Sequence, residues 1–200
     1  MIIDDKTYSL PDDNYLTLEN TKRQIVIGHT FNHEMKHFNG WLLRHNGKYK
    51  ITAPYTIDVN GNIYEHFKPI YQSKFFKNDE MDNKSIVILL ENDGWLVKNT
   101  ENSKFITWIG DIYKQPELVV EKRWRGYNYW SPYSKKQVES IVSLVKVLCG
   151  EFNIPLTSIN HNTKVDDLMG YEGVLYKSNL EKYYTDLSPS WDCEDFKNKL

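Results

Sequence analysis

The chain has 200 residues, 40% of them hydrophobic and 14% aromatic, with a formal net charge of −2. That length suits one domain with a buried core, and fourteen tyrosines with six tryptophans argue against disorder. The balanced charge gives no global field toward nucleic acid or an anionic membrane, and no window approaches 18 uninterrupted apolar residues, so neither nucleic acid nor a membrane span is expected.

Residues 1–21 are polar and broken by Pro11 and the Asp-Asp-Asn that follows, which reads as an N-terminal arm ahead of one domain over 22–200. The opening "MIIDDKTYSL" has no basic stretch leading into a long apolar one, so no signal peptide is expected and the product is read as made in the cytoplasm. "RQIVIGHT" (23–30) is β-branched without polar alternation, the pattern of a central strand covered on both faces. It ends on His29, a candidate metal ligand.

In "FNHEMKHFNGWLL" (31–43), Phe31, Met35, Phe38 and Leu42 fall on one helical face, and Gly40 weakens the helix late. The same stretch contains His33-Glu34-x-x-His37, the spacing with which a helix chelates zinc in one class of proteases. Lys36 between the histidines and the shortness of the helix weigh against that use. "APYTIDVNGNIYEHF" (53–67) has two alternating runs around Asn60-Gly61, which predicts a β-hairpin with a type I′ turn.

"KSIVILLEN" (84–92) is a second buried strand, while "KFITWIG" (104–110) and "ELVVEKRW" (117–124) have the look of edge strands. Trp124, Tyr127, Tyr129 and Trp130 are dense for a loop. Such rings stack on sugars or anchor interfaces, or else they cover one end of a sheet. In residues 131–155, Ser134 and Gln137 have capping-box spacing, and Val138, Ile141, Val142, Val145, Leu148 and Phe152 form a buried helical stripe ending before Pro155. The last segment mixes turns with a short terminal helix. Cys149 and Cys193 fit no CxxC pattern and read as free thiols. Strands and helices alternate around a mixed sheet, so the fold class is α/β (α+β) in a single domain, a central mixed β-sheet flanked by helices.

Taken together, "IVIGHT", "YTIDVNGNIYE", "SIVILLENDGW", "EFNIP" and "GVLYKSN" with "DLSPSWDCEDF" resemble, in order, the type-2 N-acetylmuramoyl-L-alanine amidases, whose fold is shared with peptidoglycan recognition proteins. The resemblance covers about residues 22–197. It implies a zinc held by two histidines and one Asp or Cys, with a fourth position open to water. On that pattern His29 takes the first ligand position and Asp186 the third. The second falls on Lys177, a cation with donors only. The family glutamate falls on Leu89, its polar group before the hairpin falls near Ala53 and Pro54 beside Tyr55, and the position two before the third ligand falls on Tyr184.

The resemblance therefore implies a catalytically degenerate amidase without a metal cofactor. His29 and Asp186 would be vestigial, with the Lys177 amine in salt-bridge range of Asp186 and close to His29. Tyr55, Trp124, Tyr127, Tyr129 and Trp130 are the candidate binding residues. The implied partners are peptidoglycan or other virion and tail proteins, since an Asn- and Lys-rich chain without a leader suits a bacteriophage product. The alternative is an active zinc-dependent amidase that cleaves the N-acetylmuramoyl–L-alanine bond, with His161 or Asp167 completing the metal site.

Overall fold

The computed structural model describes residues 1–43, 51–76, 78–160, 168 and 170–200. The described strands form two sheets. The main one contains β1 (Ile3–Asp4), β2 (Gln24–His29), β3 (Tyr55–Ile57), β4 (Ile63–Glu65) and β5 (Ser85–Leu90), together with β10 (Gly173–Tyr176), in the order β1-β4-β3-β5-β2-β10. Strands β10, β2, β5 and β3 run parallel, and β3 pairs antiparallel with β4. Every residue of β2 and β5 is buried, as their unbroken apolar runs require between two covered faces.

The second sheet is antiparallel and lies wholly between β5 and the long helix. It contains β6 (Trp95–Lys98), β7 (Phe105–Thr107), β8 (Val120–Trp124) and β9 (Tyr127–Trp130), in the order β7-β6-β9-β8. The two predicted edge strands, β7 and β8, are its edges. The aromatic run of Trp124, Tyr127, Tyr129 and Trp130 spans the end of β8 and strand β9. Its rings pack within the sheet: Trp95 stacks on Tyr127 at 4.4 Å, Phe105 meets Tyr129 edge-on at 5.1 Å, and Trp130 lies 5.5 Å from Trp124.

Helices cover both faces of the main sheet. On one face α3 (Lys135–Phe152) lays Ile141, Leu144, Val145 and Leu148 over Ile25, Ile27, Ile86, Ile88 and Leu90, and α5 (Cys193–Lys199) adds Phe196. Each fully buried aliphatic side chain stabilises by about 1.5–3 kcal/mol. The capping box of α3 forms as expected, Ser134 Oγ accepting from Gln137 N–H at 3.1 Å and Gln137 Oε1 from Ser134 N–H at 3.0 Å. On the other face Phe38 and Trp41 of α1 (Lys36–Leu43) pack with Val87, Leu89 and Ala53. Three short elements complete the set, α2 (Asp79–Lys84), α4 (Lys177–Leu180) and β10; the sequence pattern does not separate them from the turns around them.

Three local expectations are corrected. The first 21 residues are not a free arm: β1 extends the main sheet beside β4, and Leu10 and Tyr15 are buried in its core. The hairpin forms, but Gly61 alone in its turn takes a positive φ, +83°, so the turn is not type I′. Asp58 closes it instead, its carboxylate accepting from the backbone N–H groups of Asn60 and Asn62 at 2.9 and 2.8 Å. Finally, α1 begins only at Lys36, because Phe31, Glu34 and Met35 sit at positive φ and interrupt the helical pattern before it.

Beneath α1 lies a buried polar chain. Thr56 Oγ1 lies 3.1 Å from His37 Nε2 and 2.8 Å from His66 Nε2, and His66 Nδ1 lies 2.7 Å from Tyr8 O. Burial pushes His37 down to about 3 and His66 down to about 4. Unfolded, both take up a proton near pH 6.5; folded, they refuse it. Stability is therefore complete above about pH 6.5 and falls as pH drops toward 4. Each tenfold difference in proton affinity between the folded and unfolded chain is worth about 1.4 kcal/mol, so urea denaturation should show a loss of a few kcal/mol over that interval. A His37→Gln/His66→Gln variant should lose much of this pH dependence.

Candidate functional site

Functional groups gather where the parallel strands end. Asp186 is fully buried and accepts from the backbone N–H of His29 at 3.3 Å through Oδ2. The Lys177 amine, at the first residue of α4, lies 3.5 Å from the same oxygen, with its side chain 15% exposed. It sits between two rings, 4.8 Å from the centroid of Phe75 and 4.7 Å from that of Tyr184. The rings take the ammonium on faces that a desolvated cation favours. Asp186 Oδ1 is buried without a hydrogen-bond partner among the described residues.

Gly28 makes this pair possible. A Cβ at position 28 would stand 2.7 Å from Asp186 Oδ2, 3.3 Å from Leu89 Cδ2 and 3.5 Å from Lys177 Cδ. Position 28 thus faces the pair, and because neighbours on a strand point to opposite faces, position 29 faces away. The His29 ring turns toward the α3 side, where Nδ1 lies 2.8 Å from Tyr133 Oη and Phe31 packs edge-on at 4.2 Å. Nε2 is buried without a partner under Gly94, whose Cβ, if present, would be 3.0 Å away. Burial lowers His29 to about 4, against the pull of Asp186, so the ring is neutral at pH 7. The structure joins Asp186 to Lys177 and to the backbone N–H of His29, but joins neither to the His29 imidazole by a hydrogen bond. The residue that sequence reasoning missed is Gly28; pattern alone could not tell which face of β2 the pair would occupy.

The loop carrying Asp186 is held from the second sheet. Arg125 and Gly126, at φ 45° and 88°, form the two-residue turn between β8 and β9. The Arg125 guanidinium donates to Ser178 O at 2.8 Å, to Glu181 O at 2.8 Å and to Tyr184 O, and lies 4.4 Å over the Trp124 ring. It thereby satisfies carbonyls that α4 and the turn after it leave open.

The remaining expected residues have other tasks. Leu89 and Ala53 are buried apolar core where the resemblance has ionisable or polar groups. Tyr55 is buried and donates to Glu65 Oε2 at 2.6 Å, so it presents nothing to a ligand. Trp130 is fully buried and donates to Lys122 O at 2.7 Å, while Trp124, Tyr127 and Tyr129 are half-buried in the sheet. The protease-like motif does not share one helix: His33 and Glu34 precede α1 and His37 lies within it, His33 Nε2 contacts Asp93 Oδ2 at 2.6 Å and His37 turns to Thr56, so the two rings diverge. His161 and Asp167 lie outside the described residues. Among the described residues, no three His, Cys, Asp or Glu side chains are placed to hold a metal ion.

A sequence model of the N-acetylmuramoyl-L-alanine amidase family matches residues 19–169. The chain belongs to that family. No curated protein matches it closely enough to count as a relative. Solved structures share the fold at low identity. The N-acetylmuramoyl-L-alanine amidase LysC from Clostridium intestinale is 14% identical, with 100% of this chain and 97% of that one covered at a TM-score of 0.59. PlyL is 12% identical, with 100% and 96% covered at 0.56. The Drosophila peptidoglycan recognition protein SA is 10% identical, with 96% and 89% covered at 0.55.

Lys177→Met would strand the Asp186 carboxylate in the interior. It should cost about 3–5 kcal/mol in urea denaturation, and Lys177→Met/Asp186→Asn should recover a large part of that loss.

Proposed function

We propose that this chain is a non-hydrolytic member of its family, a peptidoglycan-directed binding module. One observation carries the reading: the Lys177 ammonium lies 3.5 Å from Asp186, and a metal held by that carboxylate would meet a cation there. A zinc ion requires lone pairs, and Lys177 at neutral pH offers only protons. Glycine at position 28 offers no donor on the facing strand, and Leu89 beside it has no proton to exchange. The residues present do not fit zinc, and no hydrolytic step is assigned to them. Family membership supports peptidoglycan as the partner. Binding and hydrolysis draw on the same walls but different central groups, so the first survives loss of the second. A virion- or tail-associated role belongs to the same proposal, because adhesion is what such a module retains once hydrolysis is gone.

Three measurements test it. The purified wild type should contain substoichiometric zinc by mass spectrometry, release no stem peptides from cell walls, and co-sediment with insoluble peptidoglycan. Near-stoichiometric zinc or released peptide would refute the loss of hydrolysis, and absence from the pellet would refute the binding role. The geometry adds a sharper outcome. Lys177→His alone should not gain zinc, because His29 faces away and only that histidine and Asp186 would converge, whereas Gly28→His/Lys177→His, whose two imidazoles make three donors with Asp186, should.

A further inference from the structure

A cleft of about 1140 Å³ opens beyond the carboxyl ends of β3 and β5, away from Lys177 and Asp186. The chain leaves β2 through α1 on one face of the sheet and leaves β5 toward α3 on the other, so the loops part there. Such a switch point is where open parallel sheets accept ligands. The second sheet supplies the far wall, and two exposed ion pairs cross from it to the loop after β2, Lys36 to Asp111 and Lys114 to Glu34, each at 3.6 Å.

These pairs use both lysines of the lining. His33 is held by Asp93 at 2.6 Å. Five carboxylates line the cleft against two lysines and His33; the hydrogen bond to Asp93 holds His33 above its ordinary value despite burial, and burial raises the nearly buried Glu91. Asp58 and Glu91 have hydrogen bonds but no ion-pair partner among the described residues: Asp58 closes its own turn, and Glu91 Oε1 accepts from Met35 N–H at 2.6 Å. Beside this acidic floor lies an apolar shelf of Val59, Ile109, Ile112 and Leu118, 38–55% exposed.

We propose that this cleft docks an extended, basic segment of a partner polypeptide, with its cationic side chains over Asp58 and Glu91 and the intervening apolar ones on the shelf. Charge complementarity selects this occupant: the floor repels anionic glycans and phosphates, and the shelf favours an alternating chain over a simple polyamine. The proposal does not rest on the peptidoglycan reading, which stands or falls by sedimentation.

The test is a titration of ¹⁵N-labelled full chain with acetyl-Leu-Lys-Leu-Lys-Leu-amide and with its Glu counterpart. Saturable shifts are expected at residues 33–36, 58–60 and 109–118, with at least about tenfold tighter binding of the lysine peptide. Ile109→Ser/Ile112→Ser, both exposed and so harmless to the fold, should weaken binding about tenfold while leaving the remaining spectrum in place. Equal affinity for the two peptides, shifts mapping elsewhere, no saturable binding, an unaffected double variant, or a muropeptide shifting these same residues would each overturn the proposal.

Discussion

A buried carboxylate with one ammonium for company organises the functional end of this molecule. Asp186 is wholly out of water, and a carboxylate there needs a cation or a set of donors. It has Lys177, the backbone N–H of His29, and the space that Gly28 leaves by having no side chain. The end of β2 is fixed to the start of α4 and the loop after it, which are distant from it in sequence, by one charge pair. The rings of Phe75 and Tyr184 close it from solvent. The ion pair with Lys177 is what accompanies the buried carboxylate here.

The second sheet gives that arrangement its rigidity. It is inserted between β5 and α3, and its turn places Arg125 on three carbonyls of the segment joining Lys177 to Asp186. At its other end Trp108 donates to Phe31 O, and Asp111 and Lys114 pair with Lys36 and Glu34. The loop after β2, with three non-glycine residues at positive φ, is thus held from outside. The insertion is a brace on both sides of the strand ends, and the cleft is the space between brace and sheet.

Much of the scaffold was legible because its signals are local. The apolar runs of β2 and β5, the capping box of Ser134 and Gln137, the stripe of α3 and the turn around Gly61 each lie within a few residues of one another, and short-range geometry enforces them. The aromatic run left its two readings open for the opposite reason. Tyr127 stacks on Trp95 in a sheet whose pairing spans the whole insertion, and nothing near Tyr127 in sequence reveals that partner.

By itself the sequence determined the class of fold and the order of its pieces, and its resemblance led to the expectation that Lys177 falls at a metal-ligand position. A side chain's chemistry belongs to the residue and needs no neighbours to be read. Only the tertiary structure decided that position 28 and not His29 faces Asp186, that Phe75 and Arg125 belong to the same assembly, and that Tyr55 and Trp130 are core. Facing is set by which side of a strand the distant chain covers. That choice is made by packing between segments more than a hundred residues apart, and no local pattern encodes it.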